Sequence, residues 1–148
     1  MNHPFSKEVS RIYWGGGCHH NLNLEILNAR TRSKPRLLIG SSEDKNLVAK
    51  LSERFEVVQA GGAGHKLMMV VLGFADIYIN TGSSTYKWDT CGPHAILAAL
   101  GGGVVDCKQF QEIRYDVAEK GVKANADGII VYKQACYLQL VKHSISSI

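Results

Sequence analysis

The sequence has few of the residues that hold small secreted proteins together. Its four cysteines among 148 residues show no Cys-x-x-Cys spacing, which argues against a disulfide scaffold and predicts reduced thiols. The longest apolar stretch, 67–75, has about half of the ~20 residues that a transmembrane helix needs. No apolar segment follows a basic start at the amino terminus. These absences predict a cytoplasmic protein without a membrane partner.

Charge of one sign is also scarce. Seventeen Lys and Arg residues against thirteen Asp and Glu residues leave a net charge of +4, which suits an anionic small molecule. The densest run of cations, 30–36, contains a proline and no interleaved aromatic residue, so we expect a solvated surface loop and no nucleic-acid partner. With 45% apolar and 20% charged residues, the composition is that of an ordinary folded domain.

Short apolar runs alternate with helical patterns from residue 36 onward, and two strands are expected before that point, at 10–17 and 21–27. The later strands are expected at 36–40, 55–59, 75–80, 103–106 and 128–132. The helices are expected at 43–54, 63–72, 92–100 and 134–145, with a loop of little order at 107–127. Such alternation is typical of an α/β layer built on a mostly parallel sheet.

Glycine is the residue in excess, and nine of the fifteen glycines fall in clusters at 15–17, 61–64 and 101–103. Ligands of open α/β sheets bind beyond the carboxyl ends of the strands, so the turns there are candidate sites. In the first such turn, Ser41 or Ser42 is expected to cap the following helix, whose amino terminus attracts anions.

The second and third turns carry a lysine and an aspartate. In the turn 60–66, glycines allow a ligand close to the backbone, and Lys66 is able to reach a phosphate. In the third turn, Gly92 suits a helix cap and Pro93 the first helical position, which places Asp89 near a positive helix end. A carboxylate there either caps the helix or holds a divalent cation that also binds a substrate phosphate.

A family resemblance is carried by the third turn and the segments around it. Its main residues are Trp-Asp-Thr-Cys-Gly-Pro-His at 88–94, Ala-Ile-Leu at 95–97 and Gly-Gly-Gly-Val-Val-Asp at 101–106, with further support at 62–66, 76–79 and 124–130. They resemble the carboxyl-terminal signature of the inositol monophosphatase superfamily of Mg²⁺-dependent, Li⁺-sensitive phosphomonoesterases. The resemblance extends over nearly the whole chain.

Two branches of that superfamily are similar to this sequence. The closer likeness is to the branch that removes the 1-phosphate from inositol polyphosphates such as inositol 1,4-bisphosphate. The alternative is the branch of 3′(2′),5′-bisphosphate nucleotidases, which the segments 61–64 and 87–91 also resemble. A non-catalytic fragment that binds inositol phosphates is a further alternative.

The resemblance implies a phosphatase in which Mg²⁺ ions activate a water and bridge the substrate phosphate. Asp89 matches the family's metal ligand and is the implied catalytic residue. Six further residues match positions implied to contact the substrate: Ser42, Lys45, Gly62, Ala63, Lys66 and Ser83. Lys45 is preferred to Asp44 because a carboxylate would repel a phosphate, and Ser83 is ranked before the neighbouring Ser84 and Thr85.

One departure from the family pattern concerns the metal centre. The family builds it mostly from an amino-proximal lobe with a Glu-Glu pair and an Asp-Pro-x-Asp-x-Thr segment, and this sequence has neither a Glu-Glu nor an Asp-Pro dipeptide. A lone carboxylate does not assemble a two-metal site. We therefore expect the carboxyl-terminal half of a longer, layered αβαβα phosphatase, inactive alone, with residues 1–35 as remnant strands of the amino-proximal sheet lobe and 36–148 as the α/β lobe.

Overall fold

The computed structural model describes residues 32–115 and 124–145, together with the backbone of two short strands near the amino terminus. These strands, β1 (Gly15–Gly16) and β2 (His19–His20), pair antiparallel as a sheet of their own. The strand expected at 21–27 and most of the one expected at 10–17 lie outside the described residues. The division of the chain at residue 35 therefore stays a prediction.

A five-stranded sheet forms the centre of the described structure. Its strands are β3 (Arg36–Ile39), β4 (Glu56–Gln59), β5 (Ile77–Asn80), β6 (Gly103–Val105) and β7 (Ile129–Tyr132). Their order across the sheet is β4-β3-β5-β7-β6. β3 pairs in parallel with β4 and β5, whereas β7 pairs antiparallel with both β5 and β6. The expected mostly parallel sheet is confirmed, and the opposed strand lies inside it.

Helices cover both faces of this sheet. They are α1 (Lys45–Arg54), α2 (Ala63–Val71), α3 (Lys87–Ala99) and α4 (Ala135–Ile145). Three of them match the predicted ranges within two residues, but α3 begins five residues earlier than expected. Among the described residues, no helix combines the length and the apolar character needed to cross a bilayer.

The early start of α3 corrects the prediction for Gly92 and Pro93. Both residues lie inside the helix, and Pro93 removes one backbone donor in its second turn. The helix starts instead where Tyr86 and Asp89 bond each other reciprocally. The Asp89 N–H donates to the Tyr86 carbonyl at 2.9 Å, and the Tyr86 N–H donates to Asp89 Oδ2 at 2.9 Å.

Side chains alternate along each strand between two apolar layers. In β5, Tyr78 belongs to the layer that contains Leu67 of α2 and Leu97 of α3, whereas Ile77 belongs to the layer that contains Leu51 of α1. Helix α4 completes the second layer. Because the sheet is covered on both faces, its strands are nearly continuous apolar runs, which is why they were recognisable in the sequence.

A buried ion pair joins the strand starts at one end of the sheet, which we call the amino edge. Asp76 Oδ2 accepts from the Arg36 N–H at 2.8 Å and from Arg32 Nη1 at 3.1 Å. Arg32 Nη2 also donates to the carbonyls of Gly73 and Phe74, at 3.2 and 3.0 Å. The expectation of a solvated loop is therefore wrong at Arg32, because the positive charge of Arg32 compensates the buried carboxylate of Asp76.

Candidate functional site

The turns that follow β3, β4, β5 and β6 meet at the opposite end of the sheet, which we call the carboxyl edge. Because β7 runs against the other strands, its start also lies at this edge. The segment 124–128, which leads into β7, therefore joins the strand-to-helix turns there. This convergence brings together polar groups that lie far apart in the sequence.

Helix α1, which follows the first turn, is capped by a residue other than the one expected. Asp44 Oδ1 accepts from the N–H groups of Asn46 and Leu47, at 2.9 and 3.0 Å. The expectation that Ser41 or Ser42 caps α1 is therefore wrong. Ser42 is exposed in the turn, and Lys45 is an exposed first residue of α1.

The second turn exposes the amino terminus of α2. Gly62 precedes the helix with a φ of 70°, in the left-handed region that glycine adopts without strain. No side chain in the described ranges 32–115 and 124–145 caps this helix end. The first N–H groups of α2, which begin at Ala63, therefore form an end that favours an anion.

Lys66 lies one turn further along α2 and is only 6% exposed. Its Nζ donates to the Ala60 carbonyl at 3.1 Å and lies 4.8 Å from the centre of the Tyr78 ring. Burial lowers the pKa of Lys66, and the nearby Glu43 carboxylate opposes that shift. The structure therefore places a partly desolvated cation at the carboxyl edge.

Gly40 is the point at which the first and second turns approach each other. A Cβ atom built on Gly40 would lie 3.8 Å from Lys66 Nζ and 3.8 Å from Ser42 Oγ. The hydroxyl and the ammonium therefore flank the same small residue. Of the predicted substrate contacts, Ser42, Lys66 and the Gly62–Ala63 turn are thus grouped on the ends of two neighbouring strands.

Glu43 connects the first turn to the loop between β5 and α3. Its Oε1 accepts from the Thr81 N–H at 3.1 Å, and its Oε2 accepts from the Thr81 hydroxyl at 2.5 Å. Ser83 lies in this loop and is exposed. The contact between Glu43 and Thr81 was not predictable from the sequence, since 38 residues separate them and neither belongs to a recognisable motif.

Asp89 is held at the positive end of α3. Its Oδ2 accepts from the Tyr86 N–H, so the capping role that the sequence left open is present in the structure. Beside it, the rings of Tyr86 and Trp88 stack with their centres 4.5 Å apart, and Trp88 is 57% exposed. The carboxylate thus lies next to a stacked aromatic pair in which the Trp88 ring is exposed.

Asn125 holds the other side of the same loop. Its N–H donates to the Thr85 carbonyl at 2.8 Å, and its Nδ2 donates to the Thr85 hydroxyl at 3.1 Å. The predicted loop of little order at 107–127 is therefore wrong at this residue. Asn125 belongs to the segment 124–130 that supports the family resemblance, but only the pairing across 40 residues reveals its contact with Thr85.

Asp106, at the end of β6, is engaged by its own turn. Its carboxylate accepts from the N–H groups of Lys108, Gln109 and Gln111, at 2.9, 2.6 and 2.9 Å. Burial opposes ionisation of Asp106, but these backbone hydrogen bonds outweigh it and lower its pKa. The carboxylate therefore stabilises a tight turn.

The Mg²⁺ centre implied by the family resemblance was compared with these side chains. Within residues 32–115 and 124–145, no group of three or more His, Cys, Asp or Glu side chains lies close enough together to hold a metal ion. Asp89 already accepts one backbone donor, and Asp106 accepts three. The described residues alone do not fit a complete metal centre, so no catalytic step through a metal follows from them.

Residues 1–145 match the description of the inositol monophosphatase family. The chain belongs to this family. The match covers nearly the whole chain and confirms the resemblance seen in the sequence. The inositol monophosphatase family consists of phosphatases that are generally metal-dependent.

Curated relatives include members of both branches named above. Inositol polyphosphate 1-phosphatase of Mus musculus is 33% identical over 90% of this chain and 44% of that protein, and the Bos taurus protein of the same name is 31% identical over 94% and 46%. The 3′(2′),5′-bisphosphate nucleotidase 1 of Dictyostelium discoideum is 37% identical over 60% of this chain and 28% of that protein. The chain spans less than half the length of these relatives.

Solved structures of the inositol monophosphatase family share the fold. The Thermotoga maritima IMPase matches 76% of this chain and 41% of its own with a TM-score of 0.58 and 19% identity. A Pyrococcus horikoshii protein described as similar to inositol-1 monophosphatase matches 78% and 44% with a TM-score of 0.61 and 15% identity. The five-stranded mixed sheet with flanking helices is therefore an α/β sugar-phosphatase fold.

Proposed function

We propose that the chain forms the inositol-phosphate-binding part of a phosphomonoesterase that removes the 1-phosphate from inositol polyphosphates such as inositol 1,4-bisphosphate. The observation that carries this proposal is its 31–33% identity to inositol polyphosphate 1-phosphatases over 90% or more of the chain. Mg²⁺ dependence and Li⁺ sensitivity belong to the same proposal. The grouping of anion-binding residues at the carboxyl edge supports it.

Phosphate binding is assigned to the first and second turns. Lys66 supplies charged N–H donors, and the Ser42 hydroxyl lies near the same small residue, Gly40. The uncapped N–H groups that follow Gly62 supply neutral donors that need no side-chain reorganisation. Together these groups provide hydrogen-bond donors to a doubly charged phosphate. They replace the donors of the water molecules that the phosphate loses on binding.

The inositol ring is assigned to the space between the backbone of Gly62 and Ala63, which the family resemblance implies as its contact, and the third turn. The exposed Ser83 hydroxyl, and Lys45 at the start of α1, are the outer substrate contacts in this proposal. Asp89 is the proposed catalytic carboxylate and metal ligand. The described residues offer no complete Mg²⁺ centre. In this proposal, the chain by itself therefore binds the substrate but does not hydrolyse it.

Calorimetry with inositol 1,4-bisphosphate, in EDTA and then in Mg²⁺, tests the binding. We expect the 148-residue chain to bind in both buffers, and the Lys66→Gln variant to bind about tenfold more weakly. Lys50→Gln is the matched control, because it removes the same charge from α1 without changing the second turn. Equal affinities of wild type and Lys66→Gln would contradict the assigned phosphate site.

Phosphate release from inositol 1,4-bisphosphate tests the absence of turnover. We expect no Mg²⁺-dependent release by the chain alone. Robust release that Asp89→Asn abolishes would contradict the binding-only assignment, because it would require a complete metal centre within this chain.

Hydrolysis of bisphosphate nucleotides is the second candidate function. It is favoured by the 37% identity to the nucleotidase of Dictyostelium discoideum over 60% of the chain. Adenosine 3′,5′-bisphosphate in the same calorimetric titration separates the two candidates. Tighter binding of the nucleotide than of inositol 1,4-bisphosphate would replace the first proposal by the second.

A further inference from the structure

One peptide group at the start of α3 is held at both of its ends. The carbonyl of Thr85 accepts from the Asn125 N–H at 2.8 Å. The N–H of the same peptide group, that of Tyr86, donates to Asp89 Oδ2 at 2.9 Å. A peptide group is planar and stiff, so whatever fixes its carbonyl also fixes the direction of its N–H.

The side chain of Asn125 adds a second connection to the same place. Its Nδ2 donates to the Thr85 hydroxyl at 3.1 Å, and the two residues are 5% and 1% exposed. Asn125 Oδ1 is buried and has no hydrogen-bond partner among the residues that the structure describes. A buried acceptor without a partner is unfavourable. The presence of an amide at this position is therefore explained by the hydrogen bond that its Nδ2 donates to Thr85.

The fold, and not the local sequence, sets the position of Asn125. The Gly128 N–H donates to the Asn125 carbonyl at 3.0 Å and closes a turn that leads into β7. A Cβ atom at Gly128 would lie 2.4 Å from the carbonyl oxygen of Asn80, at the end of β5. The turn therefore lies directly against the end of β5, where the β5–α3 loop begins. This contact restricts the movement of Asn125.

We propose that Asn125 and Thr85 are positioning residues that orient the carboxylate of Asp89 through the peptide group between Thr85 and Tyr86. Hydrogen bonds in series polarise one another, so the bond to the Thr85 carbonyl strengthens the bond that Tyr86 gives to Asp89. The inference rests on the proposed function of Asp89. It gives the segment 124–128, which precedes β7, a role in placing the proposed catalytic carboxylate.

Amide hydrogen exchange of Tyr86, measured by NMR on the 148-residue chain without substrate, tests this inference. Thr85→Val keeps the shape of the side chain and removes the hydroxyl, whereas Thr85→Ser keeps the hydroxyl. We expect exchange about tenfold faster at Tyr86 in Thr85→Val, with a shifted carboxyl ¹³C resonance of Asp89, because the Asn125 amide loses its acceptor. Thr85→Ser restores wild-type behaviour in both measurements.

The amide of Leu51 in α1 reports on global opening of the same molecule. Unchanged exchange at Tyr86 in Thr85→Val, or equal changes in the Val and Ser variants, would overturn the inference. So would equal acceleration at Tyr86 and Leu51, which includes the case of a variant that does not fold. Since no substrate is present in the exchange experiment, a negative result there does not affect the calorimetric test of the proposed function. A negative calorimetric result likewise leaves the exchange result valid.

Discussion

The two edges of the central sheet use polar residues in different ways. At the amino edge, the Asp76 carboxylate is matched by a guanidinium and a backbone N–H, and Arg32 is matched by two further carbonyls. At the carboxyl edge, Lys66 is buried beside a carbonyl and a ring, and the Oδ1 acceptor of Asn125 has no partner within the described part of the chain. The first edge stabilises the fold, and the second holds groups suited to a ligand.

The largest expected effect is loss of stability at the amino edge. Asp76→Ala leaves the guanidinium of Arg32 without its carboxylate and should lower the free energy of unfolding by about 3 kcal/mol. Urea denaturation measures the change. Glu56→Ala is the matched control, because its pair with Arg36 is exposed and screened by solvent and should contribute much less. Equal losses would remove the distinction between buried and exposed pairs at this edge.

Gly128 offers the next largest effect, at the carboxyl edge. Gly128→Ala combines a φ of 70° with a Cβ 2.4 Å from the Asn80 carbonyl oxygen, and should cost about 2 kcal/mol or more. Gly64→Ala, in open space within α2, should instead stabilise the chain by about 0.5 kcal/mol. The two midpoints of urea denaturation should thus move in opposite directions. A neutral Gly128→Ala would show that the turn moves freely against β5.

Binding should depend on the carboxyl edge and not on the amino edge. Lys66→Gln should weaken the binding of inositol 1,4-bisphosphate about tenfold, because charged donors are lost from the second turn. The same titration should show unchanged affinity for Glu56→Ala, whose charge lies at the other end of the sheet. A gain of affinity in Glu56→Ala as large as the loss in Lys66→Gln would mean that long-range charge, and not a local contact, attracts the ligand.

The contact between Glu43 and Thr81 should show a smaller coupling. In a double-mutant cycle of Glu43→Ala and Thr81→Val, we expect a coupling of about 1 kcal/mol in the free energy of unfolding, since one hydrogen bond to a carboxylate is lost. Additive effects would indicate that the first turn and the β5–α3 loop are held together by other contacts.

The smallest expected effect is a pH dependence that comes from Lys66. Because burial lowers its pKa below the ordinary 10.5, the unfolded chain binds more protons than the folded chain in the window just below that value. The stability of the wild type relative to Lys66→Met should therefore rise as the pH increases through this window. Denaturation between pH 8 and pH 10.5 measures it, with the exposed Lys45→Met as control. Parallel curves for the wild type and Lys66→Met would contradict the burial of the charge.

Much of the layer order was predictable, because strands covered on both faces are continuous apolar runs and the helices between them carry one apolar side. The direction of β7 was not predictable, since a four-residue apolar run is the same pattern in a parallel and in an antiparallel strand. The start of α3 was also missed. Gly92 and Pro93 satisfied a capping rule, but the reciprocal bonds between Tyr86 and Asp89 start the helix earlier.

The sequence by itself determined the family, the alternation of strands and helices, and the residue types available to a phosphate, because these depend on local patterns and short motifs. Tertiary structure decided which groups meet. Glu43 reaches Thr81 and Asn125 reaches Thr85 across 38 and 40 residues, and nothing local encodes either contact. The physical reason is that strand order and the reversal of β7 bring these turns to one edge, where burial then makes the hydrogen bond between Asn125 and Thr85 necessary.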